Sequence, residues 1–200
     1  MTGLDSNGRP DRRPAISICA WSPSYRAWDP VEDLSGEPWN PPGARTLATP
    51  GDASAETLAD TLTNLLSGGE CSALLLVGRT VHAGPVRVQM RAENRRLGEP
   101  GRLDSTSPSI ARVTAPVADM LRDLTAAGVP AIAASDAEDD AGSYILFRVL
   151  ADLPDNLESP SIGLLRIPDG TSETIVRTAV KTAASAMARR LAPLPRSVVA

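Results

Sequence analysis

Histidine and phenylalanine each occur once in this 200-residue chain and cysteine twice, and no apolar stretch is long enough to span a bilayer. Each scarcity removes a class of function. Cys19 and Cys71 lie in unrelated contexts without metal-type spacing, so two buried thiols in a reducing compartment are expected and a zinc site is not. His82 is the single candidate for an imidazole base. A formal charge of -4 gives no global attraction to nucleic acid or anionic lipid. The first residues, Met1 to Pro14, are polar and lack the apolar core of a signal peptide. Together these features predict a cytoplasmic protein with no nucleic-acid, membrane, metal or cofactor partner. There is no internal repeat, and the length suits one domain with a substantial core. We expect a flexible tail over 1–14, a single α/β domain over 15–191 and a C-terminal tail over 192–200.

What is present has an alternating pattern. Ile16 to Trp21 is a short apolar run suited to a first strand, followed by a Pro- and Trp-rich passage, Ser22 to Pro42, that reads as a long loop. Ser54 can cap a helix with Leu58, Leu62, Leu65 and Leu66 on one face, ended by Gly68 and Gly69. Ala73 to Val77 predicts a buried strand, and an irregular arginine-rich region follows. Thr114 and Pro116 open a helix carrying Val117, Met120, Leu121 and Leu124 that stops at Gly128 and Pro130. Ala131 to Ala134 is the next strand, Ser143 to Ala151 a short helix, and Ile162 to Ile167 a further strand. Ser172 to Leu191 is the longest helical pattern, with the stripe Ile175, Val176, Ala179, Val180, Ala183 and Met187. Near-continuous apolar strands alternating with amphipathic helices predict a three-layer α/β/α sandwich around a mainly parallel twisted sheet. Ligands in such sheets bind beyond the carboxyl ends of the strands, which singles out Trp21 to Arg26, Val77 to His82, Ser135 to Ser143 and Arg166 to Gly170.

At those stretches the chain resembles pyroglutamyl peptidase I, the cysteine peptidase family that removes an N-terminal pyroglutamate. Family members have a strand followed by Gly-Phe-Glu-Pro-Phe-Gly; here Ala20-Trp21-Ser22-Pro23-Ser24-Tyr25 keeps the proline alone. They continue with Val-Gly, a short loop, then Glu-Arg, two apolar residues, one further residue and Asn. Val77-Gly78 and Asn94 fit that frame without a gap, and Gln89 falls where the resemblance implies the catalytic glutamate. The family's strand, Ser-Asn-Ser-Ala-Gly and Tyr-Leu-Cys-Asn resemble Ile132 to Ser135 and Ala141 to Phe147, with Leu146 at the nucleophile's position. Gly-Phe-Ile-His-Val-Pro is similar to Gly163 to Pro168, with Arg166 at the histidine's position. The resemblance runs from about Ala15 to Leu191 and implies the family fold and a homo-oligomer.

By this resemblance all three working groups are replaced. Thiol catalysis needs a thiolate and a neighbouring base; leucine cannot attack, and a protonated arginine cannot take a proton. Arg79, Arg166 and Gln89 together would instead make a cationic, hydrogen-bonding cleft for a peptide or small anionic ligand; alternatively Arg166 fills the emptied pocket and pairs with the acidic loop of Asp136, Glu138, Asp139 and Asp140. That loop lacks calcium-loop spacing. Ser135 and Ser143 flank the pocket, and serine before a helix is usually a cap. Four of six aromatic residues, Trp21, Tyr25, Trp28 and Trp39, lie in the first forty positions, where Trp21 and Tyr25 would wall a pocket or, alternatively, the tryptophans pin the Pro-rich loop to the domain or to a subunit interface. Three functions remain open: a binding protein without peptidase turnover, an enzyme with repurposed hydrolase or amide-modifying chemistry, and a structural oligomer partner.

Overall fold

Strands whose residues are apolar on both faces can be stable only between two helical layers, and the computed structural model shows this arrangement. It describes residues 11, 13–20, 39–48, 54–154 and 159–191. Among these, the elements in chain order are β1 (Ala15–Ala20), β2 (Arg45–Ala48), α1 (Ala55–Ser67), β3 (Ala73–Thr80), β4 (Val86–Gln89), β5 (Arg91–Glu93), β6 (Ile110–Arg112), α2 (Val117–Ala126), β7 (Ala131–Ala134), α3 (Ala141–Asp152), β8 (Ser161–Pro168) and α4 (Glu173–Leu191). The main sheet runs β2-β1-β3-β8-β4-β7, with each neighbouring pair parallel except β4 against β8. The expected α/β sandwich is therefore observed, with one antiparallel junction inside it.

The period-two alternation of each strand divides the core. Ile16, Ile18, Leu75, Val77, Val86, Val88, Leu165 and Ile167 face α2 and α4, while Cys19, Leu74, Leu76, Ile162 and Leu164 face α1 and α3. Both cysteines are buried. Ser54 caps α1 as expected, accepting from the Thr57 N–H, and Leu58, Leu62 and Leu66 are buried beneath it. In α4 the expected stripe is buried except Ile175, which sits in the first turn and is 42% exposed.

Several elements differ from the sequence reading. The arginine-rich region is not irregular: it supplies β4 to the main sheet and the separate β5–β6 antiparallel pair, which packs on α3. The helix opened by Thr114 and Pro116 starts at Val117, and Thr114 lies ahead of it with its Oγ1 donating to the Pro160 carbonyl and accepting from the Ile162 N–H, clasping the α2 approach to β8. The two backbones come so close that a Cβ on Gly163 would lie 2.8 Å from that of Ala115, which accounts for glycine there. The Ser22–Pro42 loop and the two expected tails lie largely or wholly outside the described residues, as do Trp21, Tyr25 and Trp28. Trp39 is described: it packs partly buried on the core, with the Lys181 ammonium 5.3 Å from its ring centre. No described helix is long and apolar enough to cross a membrane.

Candidate functional site

The antiparallel junction sets the chemistry of the site. Arg87 of β4 pairs directly with Arg166 of β8, so two guanidiniums share one face of the sheet, on the α3 side. Like charges opposed across a ladder are destabilising unless neutralised. The segment after β7 supplies the neutralisation. Because β4 and β7 run against β3 and β8, the carboxyl end of β7 lies level with the middle of β8, and the chain must double back to reach the end where β3 and β8 finish. In doing so Asp136 pairs with Arg87, Glu138 receives the Thr80 hydroxyl at 2.6 Å and the Val81 N–H at 3.3 Å, and Asp140 takes Arg166 in a two-pronged ion pair at 2.5 and 2.9 Å. Glu138 Oε1 also lies 3.6 Å from Arg166 Nε and 4.0 Å from Arg87 Nε, bridging the two cations.

Arg166 is completely buried. Besides Asp140, it donates to Ser143 Oγ at 2.7 Å, to the Arg79 carbonyl at 3.1 Å and, through Nε, to Gln89 Oε1 at 3.3 Å. Of the two readings left open for Arg166, the geometry matches the paired one. Gln89 is likewise buried, and its amide nitrogen donates inward to the Asp136 and Arg91 carbonyls. Ser143 does not cap α3; Asp140 does, accepting the Ser143 N–H at 2.8 Å, and Ser143 lies inside the helix with its hydroxyl on Arg166. Leu146 is on the same face of α3 one turn further on, fully buried among Ile145, Phe147 and Leu164. The structure thus brings Gln89, Ser143 and Arg166 into one hydrogen-bonded cluster and buries Leu146 in the adjoining core.

Arg79 and His82 go elsewhere. They line a cleft of about 520 Å³ at the carboxyl end of β3, together with Val81, Glu138, Asp139 and Asp169. Arg79 pairs with Asp169 at 2.8 Å, and His82 Nε2 lies 3.4 Å from Asp136 Oδ2. Gln89, Ser143 and Arg166 do not line this cleft, so its walls carry more carboxylates than cations, the reverse of the sign expected from the sequence. Cys71 precedes the amino end of β3, and that strand's length, roughly 23 Å at 3.3 Å per residue, separates it from His82; burial, with the Glu70 carboxylate adding to it, pushes the Cys71 thiol up to about 11. No group of acidic, histidine or cysteine residues suited to a metal ion is found among the described residues.

Sequence reasoning placed Thr80, Val81 and Asp169 inside candidate stretches without giving them a role, and it passed over Arg87. The alternation Val86-Arg87-Val88-Gln89 was the signal available for Arg87, since it puts both polar residues on one face of a strand.

No family model matches the chain, and no curated protein matches it in sequence. Solved structures do. Pyroglutamyl peptidase I from Bacillus amyloliquefaciens superposes with a TM-score of 0.70 at 14% identity, covering 88% of this chain and 95% of that one. Pyrrolidone carboxyl peptidase from Thermus thermophilus gives 0.64 at 19% identity over 85% and 98%, and a mutant pyrrolidone carboxyl peptidase from Pyrococcus furiosus 0.72 at 14% over 88% and 99%. This chain has the pyroglutamyl peptidase I fold. At such identities the likeness speaks for the fold alone, and the chemistry has to be argued from this chain's residues. On that fold the Arg87–Arg166 junction, its acidic neutralising segment and the cleft beside it lie at the carboxyl ends of β3 and β8, where α/β sheets place ligands.

Proposed function

We propose that this protein is a non-hydrolysing version of the pyroglutamyl peptidase I fold, which binds a peptide-like or small charged ligand in the cleft at the end of β3 without cysteine-peptidase turnover. The observation carrying this reading is the state of Arg166. A residue that must exchange protons with a nucleophile needs a free lone pair and room to move. Arg166 has neither, being fully buried and held by Asp140, Ser143, Gln89 and the Arg79 carbonyl. With Leu146 at the position matched to the nucleophile and Gln89 at that of the acid, the group of side chains acts as an internal ion-pair scaffold. A cytoplasmic location and self-association go with this reading. Sedimentation at several concentrations checks the second, and a one-chain mass at every concentration removes it.

The direct test is release of a fluorescent amine from a pyroglutamyl amide by purified protein. We expect no release above the buffer blank, and none after Leu146→Cys either, because the restored thiol still lacks a base. Turnover that scales with wild-type protein and disappears on Arg166→Ala would overturn the proposal in favour of repurposed hydrolase chemistry in the same scaffold.

A further inference from the structure

We infer that the cleft at the end of β3 selects a protonated primary amine carried beside a small apolar group, as in an unblocked peptide N-terminus; this rests on the binding reading above and names its ligand class. The cavity comes first. At about 520 Å³ it lies within the 300–1,000 Å³ typical of small-ligand pockets, large enough for the first one or two residues of a peptide.

The charge on its walls comes second. Among the described residues lining or flanking it, Asp136, Glu138, Asp139, Asp140 and Asp169 oppose Arg79, Arg87 and Arg166, leaving a surplus of two negative charges with His82 neutral. The carboxylates are not equally committed. Asp136 is held by Arg87, Glu138 by Thr80 and Val81, Asp140 by Arg166 and the first turn of α3, and Asp169 by Arg79. Asp139 carries no ion pair among the described residues and accepts one long bond, 3.5 Å from the Gly98 N–H, so it retains acceptor capacity toward the cleft. Of the described features that would draw an anion, the amino end of α3 is already occupied by the Asp140 carboxylate and Arg79 is paired with Asp169.

The third observation is Val81. It is 88% exposed on the cleft wall although its backbone N–H is tied to Glu138, so an apolar side chain is presented to solvent from a fixed backbone. Carboxylates for the ammonium and Val81 for the neighbouring side chain make a site that an uncharged pyroglutamyl ring, lacking the ammonium, does not satisfy.

Titration calorimetry on the full chain with alanyl-alanine amide, its N-acetyl form, pyroglutamyl-alanine amide and succinate separates the possibilities. We expect the free-amine peptide to bind at least tenfold more tightly than either blocked peptide, with affinity falling as salt is raised. Asp139→Asn should weaken it severalfold at unchanged thermal midpoint, since that carboxylate supports no ion pair among the described residues. Equal binding of free and acetylated peptides, tighter binding of succinate, or no binding by any probe overturns this inference. Release of pyroglutamate from the third probe overturns the earlier reading instead, and is scored separately by product analysis.

Discussion

The half of the sheet made by β1, β3 and the first part of β8 and the junction where β8 meets β4 solve the same problem with opposite materials. In the first, every inward residue from Ala73 to Val77 and from Ile162 to Leu165 is aliphatic or glycine, and burial alone holds the layers together. In the second, two arginines face each other on the α3 side, and the segment Asp136 to Asp140 exists in its folded form because it neutralises them. In the aliphatic half a substitution costs only through the volume lost or added, because its side chains need no particular polar partner. The ionic junction is not: removal of one group leaves another charged and buried. If that contrast is right, the cost of a substitution should depend less on the size of the group removed than on what it strands.

Asp140→Ala should therefore be the most costly change. It leaves the buried Arg166 guanidinium only the more distant Glu138 carboxylate, for about 3 kcal/mol given that Asp140 is itself partly solvated, and it removes the α3 cap for about 1 kcal/mol more. Urea unfolding measures both together. Asp140→Asn, which retains the cap but not the charge, should recover the smaller part. Wild-type stability for Asp140→Ala would mean that the junction is held by packing after all.

Leu146→Ala gives the matching measurement on the apolar side. Leu146 is fully buried, and truncation should cost about 3 kcal/mol through lost burial and the cavity left behind. No partner is stranded, so the loss should be the same in low and high salt, whereas the loss for Asp140→Ala should shrink as salt screens the remaining charges. If the two losses respond alike to salt, the comparison fails.

How far the fold could be read from sequence follows the same division. β1, β3 and β8 are legible because strands buried on both faces must be near-continuous apolar runs, and the caps and glycines around α1 and α2 bound them. β4 is not legible by that rule. Its polar positions, Arg87 and Gln89, are buried by partners more than forty residues away, and only the folded chain brings Asp136 and Glu138 to them. β2, β5 and β6 are too short, at three or four residues, to carry a periodic signal. The site divides likewise. The resemblance pointed to Gln89, Leu146 and Arg166, of which Gln89 and Arg166 share a hydrogen bond, and the acidic loop was a recognisable partner for Arg166, but the sign of the cleft was misjudged because it depends on which arginines are spent inside the protein.

Gly163→Ala tests the aliphatic half by overpacking. The added methyl would meet the Ala115 Cβ at 2.8 Å, and the clasp made by Thr114 across Pro160 and Ile162 prevents the α2 approach from moving away. A loss of about 1–3 kcal/mol is expected, again independent of salt. Releasing the clasp with Thr114→Val should lessen it, and a loss as large in that background would show that the clasp is not what holds the two backbones together.

The smallest change has the opposite sign. Ser17 lies in β1 between β2 and β3, fully buried, and its hydroxyl has no hydrogen-bond partner among the described residues. Its alternation puts it on the face of Cys19 and Leu74, where no described polar group answers it. A buried hydroxyl without a partner loses its hydration and gains nothing in return, so Ser17→Ala should be neutral or stabilising, by up to about 1 kcal/mol. The equivalent deletion at the junction, Ser143→Ala, removes an acceptor that Arg166 uses at 2.7 Å and should be destabilising by about 1–2 kcal/mol. The same atom is deleted in both variants, so opposite shifts in thermal midpoint would isolate the effect of what each hydroxyl touches. If Ser17→Ala proves as costly as Ser143→Ala, the aliphatic half depends on a polar contact that the described residues do not contain, and the two regions differ less than the ion pairs suggest.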